Sequence, residues 1–406
     1  MNKLPITDMI EATRLTREGR LKEAMALLRG ALASPSADRP ESEAGRATSQ
    51  IIDMVPPREQ DGVWTAPHVG GGFEDESRAR MPEALRGLLS RMGRLGSAGG
   101  LDGLPHPAPR RAPVPLPDGA RFEERSFANA AGRRTYKLYV PSGFKGQPLP
   151  LVMMLHGCTQ SPDDFAAGTR MNDLAEEQTF LVAYPAQPAS ANASKCWNWF
   201  NASDQQRDQG EPSLIAGITR EIMRDMPVTR GRVYIAGLSA GGAAAAIMAS
   251  AYPDLYAAVG VHSGLACGAA SDLASAFAAM RGGSPDAGRS RRSGRPAVPT
   301  IVFHGDRDNT VNPVNSDHII AQSNAAADLQ ITVTRGKASG GMRYTHTVYA
   351  DDTGQAILEQ WVLHGAGHAW SGGSVSGSYT EPRGPDASGE MLRFFLQHQS
   401  SSAPLS

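Results

Sequence analysis

Arg232-Val233-Tyr234-Ile235-Ala236-Gly237-Leu238-Ser239-Ala240-Gly241-Gly242 is the stretch on which the reading of this chain turns. Val233 to Ala236 is a short apolar run with β-branched and aromatic content, the signature of a strand buried on both faces. Ala240 to Ala251 is rich in alanine and reads as a helix. Between strand and helix lies G-x-S-x-G. In that setting the serine sits on a sharp turn, with its hydroxyl thrust above the sheet. The glycines at 237 and 241 keep side chains out of the crowded turn. The Ala240 N–H, at the start of the helix, is placed to face a developing oxyanion.

Working outward, the same alternation repeats. Leu149 to Leu155, Phe180 to Tyr184, Ala257 to His262 and Thr300 to Phe303 are further strand-like runs, and Pro212 to Met226 has helical character. Arg121 to Ala128 and Arg134 to Val140 flank Asn129-Ala130-Ala131-Gly132, a hairpin signature. Arg343 to Tyr349 and Ile357 to Leu363 are late strands, followed by a last helix from Gly389 to His398. Strands alternating with helices imply a mostly parallel sheet with helices on both faces, here the α/β-hydrolase fold. The expected organisation is an N-terminal helical segment over 1–32, a low-complexity linker over 33–118, the catalytic domain over 119–400 and a disordered tail over 401–406.

A serine on such an elbow needs an acid and a base later in the chain. Thr300-Ile301-Val302-Phe303 runs into His304-Gly305-Asp306-Arg307-Asp308. Asp308 is the expected acid, Asp306 the reserve, and His304 a structural residue at the strand end. The base is expected in Leu363-His364-Gly365-Ala366-Gly367-His368-Ala369-Trp370, where glycines let a loop carry His368 over the sheet to take the Ser239 proton. His364 is the competitor, and His262 fits the chain order poorly. A zinc site from His364 and His368 fails, because Gly365 and Gly367 argue against a helix holding both on one face. No nucleotide-binding or metal-ligand pattern stands out, so no cofactor is expected. Leu155-His156-Gly157-Cys158-Thr159-Gln160 occupies the place of the second oxyanion donor, expected to be the Cys158 N–H. Trp197 and Trp370 lie beside these motifs and are assigned to an apolar crevice for an acyl chain, with core packing as the bland reading of either.

Composition narrows the partners. The 406 residues carry 40 Lys+Arg against 41 Asp+Glu, which gives no overall electrostatic reason to bind nucleic acid or an anionic membrane. No apolar stretch is long enough to span a bilayer. The 44 Gly and 29 Pro imply that part of the chain is not packed core, and Ala33 to Asp118 has the Ser/Pro/Gly/Arg/Glu bias of a linker. Arg110, Arg111, Arg289, Arg291, Arg292 and Arg295 read as solvated loops. Asp8, Glu11 and Arg14 interrupt any secretory signal, so the protein is expected to stay where it is made. Residues 4 to 32 repeat apolar positions at helical spacing, a segment that either packs on its own catalytic domain or docks on a partner or granule. Cys158, Cys196 and Cys267 are too few for a disulfide-built fold.

Taken together, Leu155 to Gln160, Cys196-Trp197-Asn198-Trp199-Phe200, Gly237 to Gly242, His304 to Asp308 and Gly367 to Gly373 resemble the poly(3-hydroxybutyrate) depolymerase family of esterases. The resemblance spans roughly residues 120 to 397. It implies hydrolysis of short-chain polyhydroxyalkanoate or related esters, with Ser239, Asp308 and His368 as triad. It also implies a link between Cys158 and Cys196, which a reducing cytosol would oppose. Residues 1–100 have no counterpart in secreted members of that family. Feruloyl or acetyl-xylan esterase activity fits the same elbow, and a non-catalytic binding protein is the alternative from another class.

Overall fold

A computed structural model of the chain describes residues 116–284, 298–323 and 329–400. The expected helical segment over 1–32, nearly all of the linker, the arginines at 110, 111, 289, 291, 292 and 295, and the tail over 401–406 lie outside these residues.

Two short described strands, Trp370–Ser371 and Thr380–Glu381, pair apart from the rest, and the other ten form one sheet. In chain order they are β1 (Arg121–Asn129), β2 (Gly132–Val140), β3 (Leu149–Leu155), β4 (Leu181–Pro185), β5 (Val228–Leu238), β6 (Ala258–His262), β7 (Thr300–Gly305), β8 (Gln330–Lys337), β9 (Arg343–Ala350) and β10 (Ala356–His364). Their spatial order is β1-β2-β4-β3-β5-β6-β7-β10-β9-β8. The centre, β4-β3-β5-β6-β7-β10, is parallel. Antiparallel strands close both margins. This is the α/β-hydrolase arrangement, with antiparallel additions at each edge.

Seven described helices cover the sheet: α1 (Pro162–Thr169), α2 (Met171–Gln178), α3 (Gly210–Asp225), α4 (Ala240–Ala251), α5 (Leu273–Gly282), α6 (Val314–Ser323) and α7 (Ala387–Leu396). Strand periodicity divides the core between two faces. Leu151, Met153 and Leu155 of β3 and Val233 and Ile235 of β5 pack with Ile215 and Ile218 of α3 and with the alanines of α4. Val152, Met154, Tyr234 and Ala236 face the other way, onto Phe165, Met171, Met391 and Phe395 of α1, α2 and α7. A strand buried on both faces must be apolar at every position, which is why these runs lack polar alternation. None of the described helices is long and apolar enough to cross a membrane.

All six parallel strands point their C-terminal ends to one edge of the sheet. The loops after β3, β5, β6, β7 and β10 therefore meet above it, where ligands bind in open α/β sheets.

Candidate active site

Ser239 joins β5 directly to α4 with φ 58° and ψ −119°, a conformation that costs a non-glycine residue free energy. The backbone on either side of it is packed without room for side chains. A methyl on Gly237 would collide with the Gly241 carbonyl, and one on Gly241 with the Leu155 carbonyl. The Ser239 N–H donates to the His262 carbonyl at 2.9 Å, fixing the turn to the end of β6. Ser239 is 8% exposed, and among the described residues its hydroxyl makes no hydrogen bond.

After β7, Asp308 is buried and held from four sides. Its Oδ1 accepts the N–H groups of Thr310 and Val311, each at 2.9 Å. Its Oδ2 accepts Nδ1–H of His368 at 2.7 Å, and His304 Nε2 lies 3.4 Å from the same oxygen. Burial alone would raise the Asp308 carboxyl, but the hydrogen bonds from His304 and His368 outweigh it and hold the group well below the ordinary carboxylate range. An ionised carboxylate can only accept, so His368 carries its proton on Nδ1 and leaves Nε2 as the available base. That nitrogen is buried and has no hydrogen-bond partner. Asp308 and His368 are thus brought together as the sequence predicts. His368 Nε2 therefore makes no hydrogen bond to the Ser239 hydroxyl.

His304 does more than end a strand: its Nε2–H donates to the Val311 carbonyl at 2.9 Å and flanks Asp308. Asp306 faces outward instead and pairs with His364 at 2.9 Å. Asp306, the reserve acid, and His364, the competing base, thus pair with each other and not with Asp308 or His368.

His262 has a part that sequence reasoning passed over. It is fully buried, and its Nε2 accepts the Ser371 N–H at 3.0 Å. Its backbone carbonyl holds Ser239 while its ring holds the loop bearing His368. Burial pushes its pKa down to about 3, so it stays a neutral acceptor. No local pattern announces this, because residues 262 and 371 meet only through the fold.

The loop after β3 carries Cys158, whose N–H has no backbone acceptor among the described residues. The Ala240 N–H is the first of α4 and has no acceptor within its helix. The Cys158 loop is tied down on several sides. The Gly157 N–H donates to Gln160 Oε1 at 2.9 Å, and Thr159 N–H to the Ser194 carbonyl at 2.7 Å. His156 accepts the Gln187 N–H on Nε2 at 3.1 Å, with burial lowering its pKa to about 4. Cys158 and Cys196 form a disulfide across 38 residues, and the remaining cysteine, Cys267, is buried elsewhere in the core. Closing a loop of this length stabilises the fold by about 4 kcal/mol in the chain-entropy account. Cys196→Ser, or reductant added to wild type, should therefore lower the unfolding free energy by roughly that amount and move the urea midpoint down accordingly. An unchanged midpoint would show that the bond is not formed in solution.

Trp197 and Trp370 require a correction. They are 0% and 1% exposed, so neither lines a crevice open to substrate. Trp197 Nε1–H donates to the His156 carbonyl at 3.1 Å and Trp370 Nε1–H to Ser388 Oγ at 3.0 Å. Large amphipathic rings beside a catalytic motif are here packing supports beneath the loops, each with its one polar atom satisfied. Among the described residues, no group of three or more His, Cys, Asp or Glu could hold a metal ion.

The sequence pattern of the family described as "Esterase PHB depolymerase" matches residues 134–344. The chain belongs to that family. Poly(3-hydroxyalkanoate) depolymerase C of Paucimonas lemoignei is 32% identical over 252 residues, covering 60% of this chain and 60% of that protein. Feruloyl esterase B of Thermothelomyces thermophilus is 28% identical over 251 residues, 57% of this chain and 82% of the relative. Acetylxylan esterase A of Talaromyces purpureogenus is 29% identical over 204 residues, 46% of this chain and 52% of the relative. Against the depolymerase and the acetylxylan esterase, the matched part of the chain thus spans between half and two thirds of the relative's length.

Proposed function

We propose that this member of the family is a serine carboxylic-ester hydrolase. Ser239 attacks the ester carbonyl while His368 Nε2 takes its proton. The N–H groups of Cys158 and Ala240 receive the oxyanion. Collapse of the tetrahedral adduct expels the alcohol, protonated by His368, and water then releases the acid from the acyl-enzyme by the same route. Asp308 holds the imidazole in the required tautomer and stabilises its cation. The observation that carries this reading is the buried Asp308–His368 pair at 2.7 Å, on loops rising from the same sheet edge as the strained Ser239.

The substrate we favour is a short-chain poly(3-hydroxyalkanoate) or its oligomers, the polymer named for the Paucimonas relative. A feruloyl ester is the second reading, favoured by the larger share of the Thermothelomyces relative that this chain covers. The hydrolase domain is proposed to occupy residues 119–400, with residues 1–118 docking it on an insoluble substrate or a partner. A panel of hydroxybutyrate oligomers, polymer granules, methyl ferulate and acetylated xylan tests these readings by initial rates. The expected result is a kcat/KM for hydroxybutyrate oligomers at least tenfold above the sugar-wall esters. Preference for ferulate or acetyl xylan would overturn the substrate, and no hydrolysis of any ester would overturn the activity. Deletion of 1–118 should reduce the rate on granules while leaving soluble oligomers unaffected.

A further inference from the structure

The turn after β7 and the end of β10 with its following loop carry two Asp–His pairs, of which the proposed chemistry uses only the inner one. In the outer pair, His364 Nδ1–H donates to Asp306 Oδ2 at 2.9 Å. Asp306 Oδ1 accepts the Gly365 N–H at 2.7 Å, and His364 Nε2 meets Thr345 Oγ1 of β9 at 2.8 Å. The backbones are laced together as well. Asp306 N–H donates to the Leu363 carbonyl at 3.1 Å, and Arg307 N–H to the Ala366 carbonyl at 3.0 Å. Gly305 packs so closely on Ala366 and Gly367 that it has no room for a methyl.

Thr345–His364–Asp306 has the hydrogen-bond order of a nucleophile, base and orienting acid. A second hydrolytic site is nevertheless excluded by its surroundings. Thr345 lies mid-strand, paired with Val362 on one side and Arg335 on the other, so no free pair of N–H groups faces an oxyanion there.

We propose that Asp306, His364 and Thr345 are positioning residues that set the place of His368. The outer pair fixes the near end of the loop at residues 364–365, and His262 fixes the far end at Ser371, leaving His368 between two anchored points. With both side chains 38% exposed, the pair contributes little to global stability. Its effect is geometric: an imidazole displaced by a fraction of an ångström loses alignment with Ser239, and misplacements near 1 Å cost on the order of a hundredfold in rate. This inference rests on the hydrolase reading above.

The test compares wild type, Asp306→Ala, His364→Ala, the double variant and His364→Asn. The readouts are p-nitrophenyl butyrate kinetics, the rate of Ser239 labelling by a fluorophosphonate, and Tm. Each alanine variant should lose about tenfold in kcat and in labelling rate, with KM within twofold and Tm within about 3 °C. The double variant should lose less than the product of the two single losses, because each single variant already removes the Asp306–His364 bond. His364→Asn, whose amide N–H can still reach Asp306, should recover most of the rate. Variants labelled and turning over at the wild-type rate overturn the clamp alone. So do additive losses, or losses that track Tm without rescue. Wild type that neither labels nor hydrolyses sinks the hydrolase reading and the clamp with it.

Discussion

Asp308→Asn should lower kcat by about 10⁴-fold while leaving the folded state intact. The reason lies in proton bookkeeping at His368. The Asp308 carboxylate can only accept, so it fixes the proton on Nδ1 and the lone pair on Nε2. An amide offers its own N–H in the same place, which favours the opposite tautomer and leaves Nε2 unable to take the Ser239 proton. Because Asp308 is held well below its ordinary value, it stays ionised throughout the working range. The acid limb of the wild-type pH–rate profile therefore belongs to another group. The linked stability has a definite sign. A depressed carboxylate stabilises the fold above its unfolded value, near pH 4, and that contribution fades as the pH drops below it. Rate profiles of Asp308→Asn and Asp306→Asn side by side check the assignment. A larger loss in Asp306→Asn would hand the acid role to the outer residue.

The second large effect is at the nucleophile. Ser239→Ala should reduce turnover at least 10⁴-fold and abolish the mass shift produced by a fluorophosphonate, since no other described hydroxyl sits on the elbow. The residual rate would come from the oxyanion donors and substrate binding alone. The same position allows a thermodynamic control. Ser239 keeps φ at 58°, a conformation that glycine adopts freely. Ser239→Gly should accordingly be as inactive as Ser239→Ala yet more stable by about 1 kcal/mol. Urea unfolding of the two variants reads that difference, and equal midpoints would mean that the turn is not strained.

The features visible in the sequence are those encoded locally. G-x-S-x-G between an apolar strand and an alanine-rich helix identifies the elbow, because strand, turn and helix each leave their own periodicity. Asp308 and His368 follow from chain order and from the glycines around the latter. Other features arise from distant contacts. β8 leaves no pattern in the sequence, because Ile331 and Val333 are 62% and 52% exposed and the strand buries no face that would mark it against a loop. The helices α1 and α2 are eight residues each, and their few apolar positions fall short of a recognisable repeat. Trp197 and Trp370 lie beside the candidate motifs in sequence, whereas their burial is set by what folds over them. The tie from His262 to Ser371 joins residues 109 apart, beyond any local pattern.

The absence of side-chain room at positions 237 and 241 reaches past the turn itself. With backbone pressed on backbone there, the reaction centre cannot be widened, narrowed or repolarised from below by substitution. Any divergence in which ester is accepted has to be written in the connecting segments above the sheet, such as 187–209 and 372–386. A library confined to those two segments would vary selectivity on a chemically constant floor.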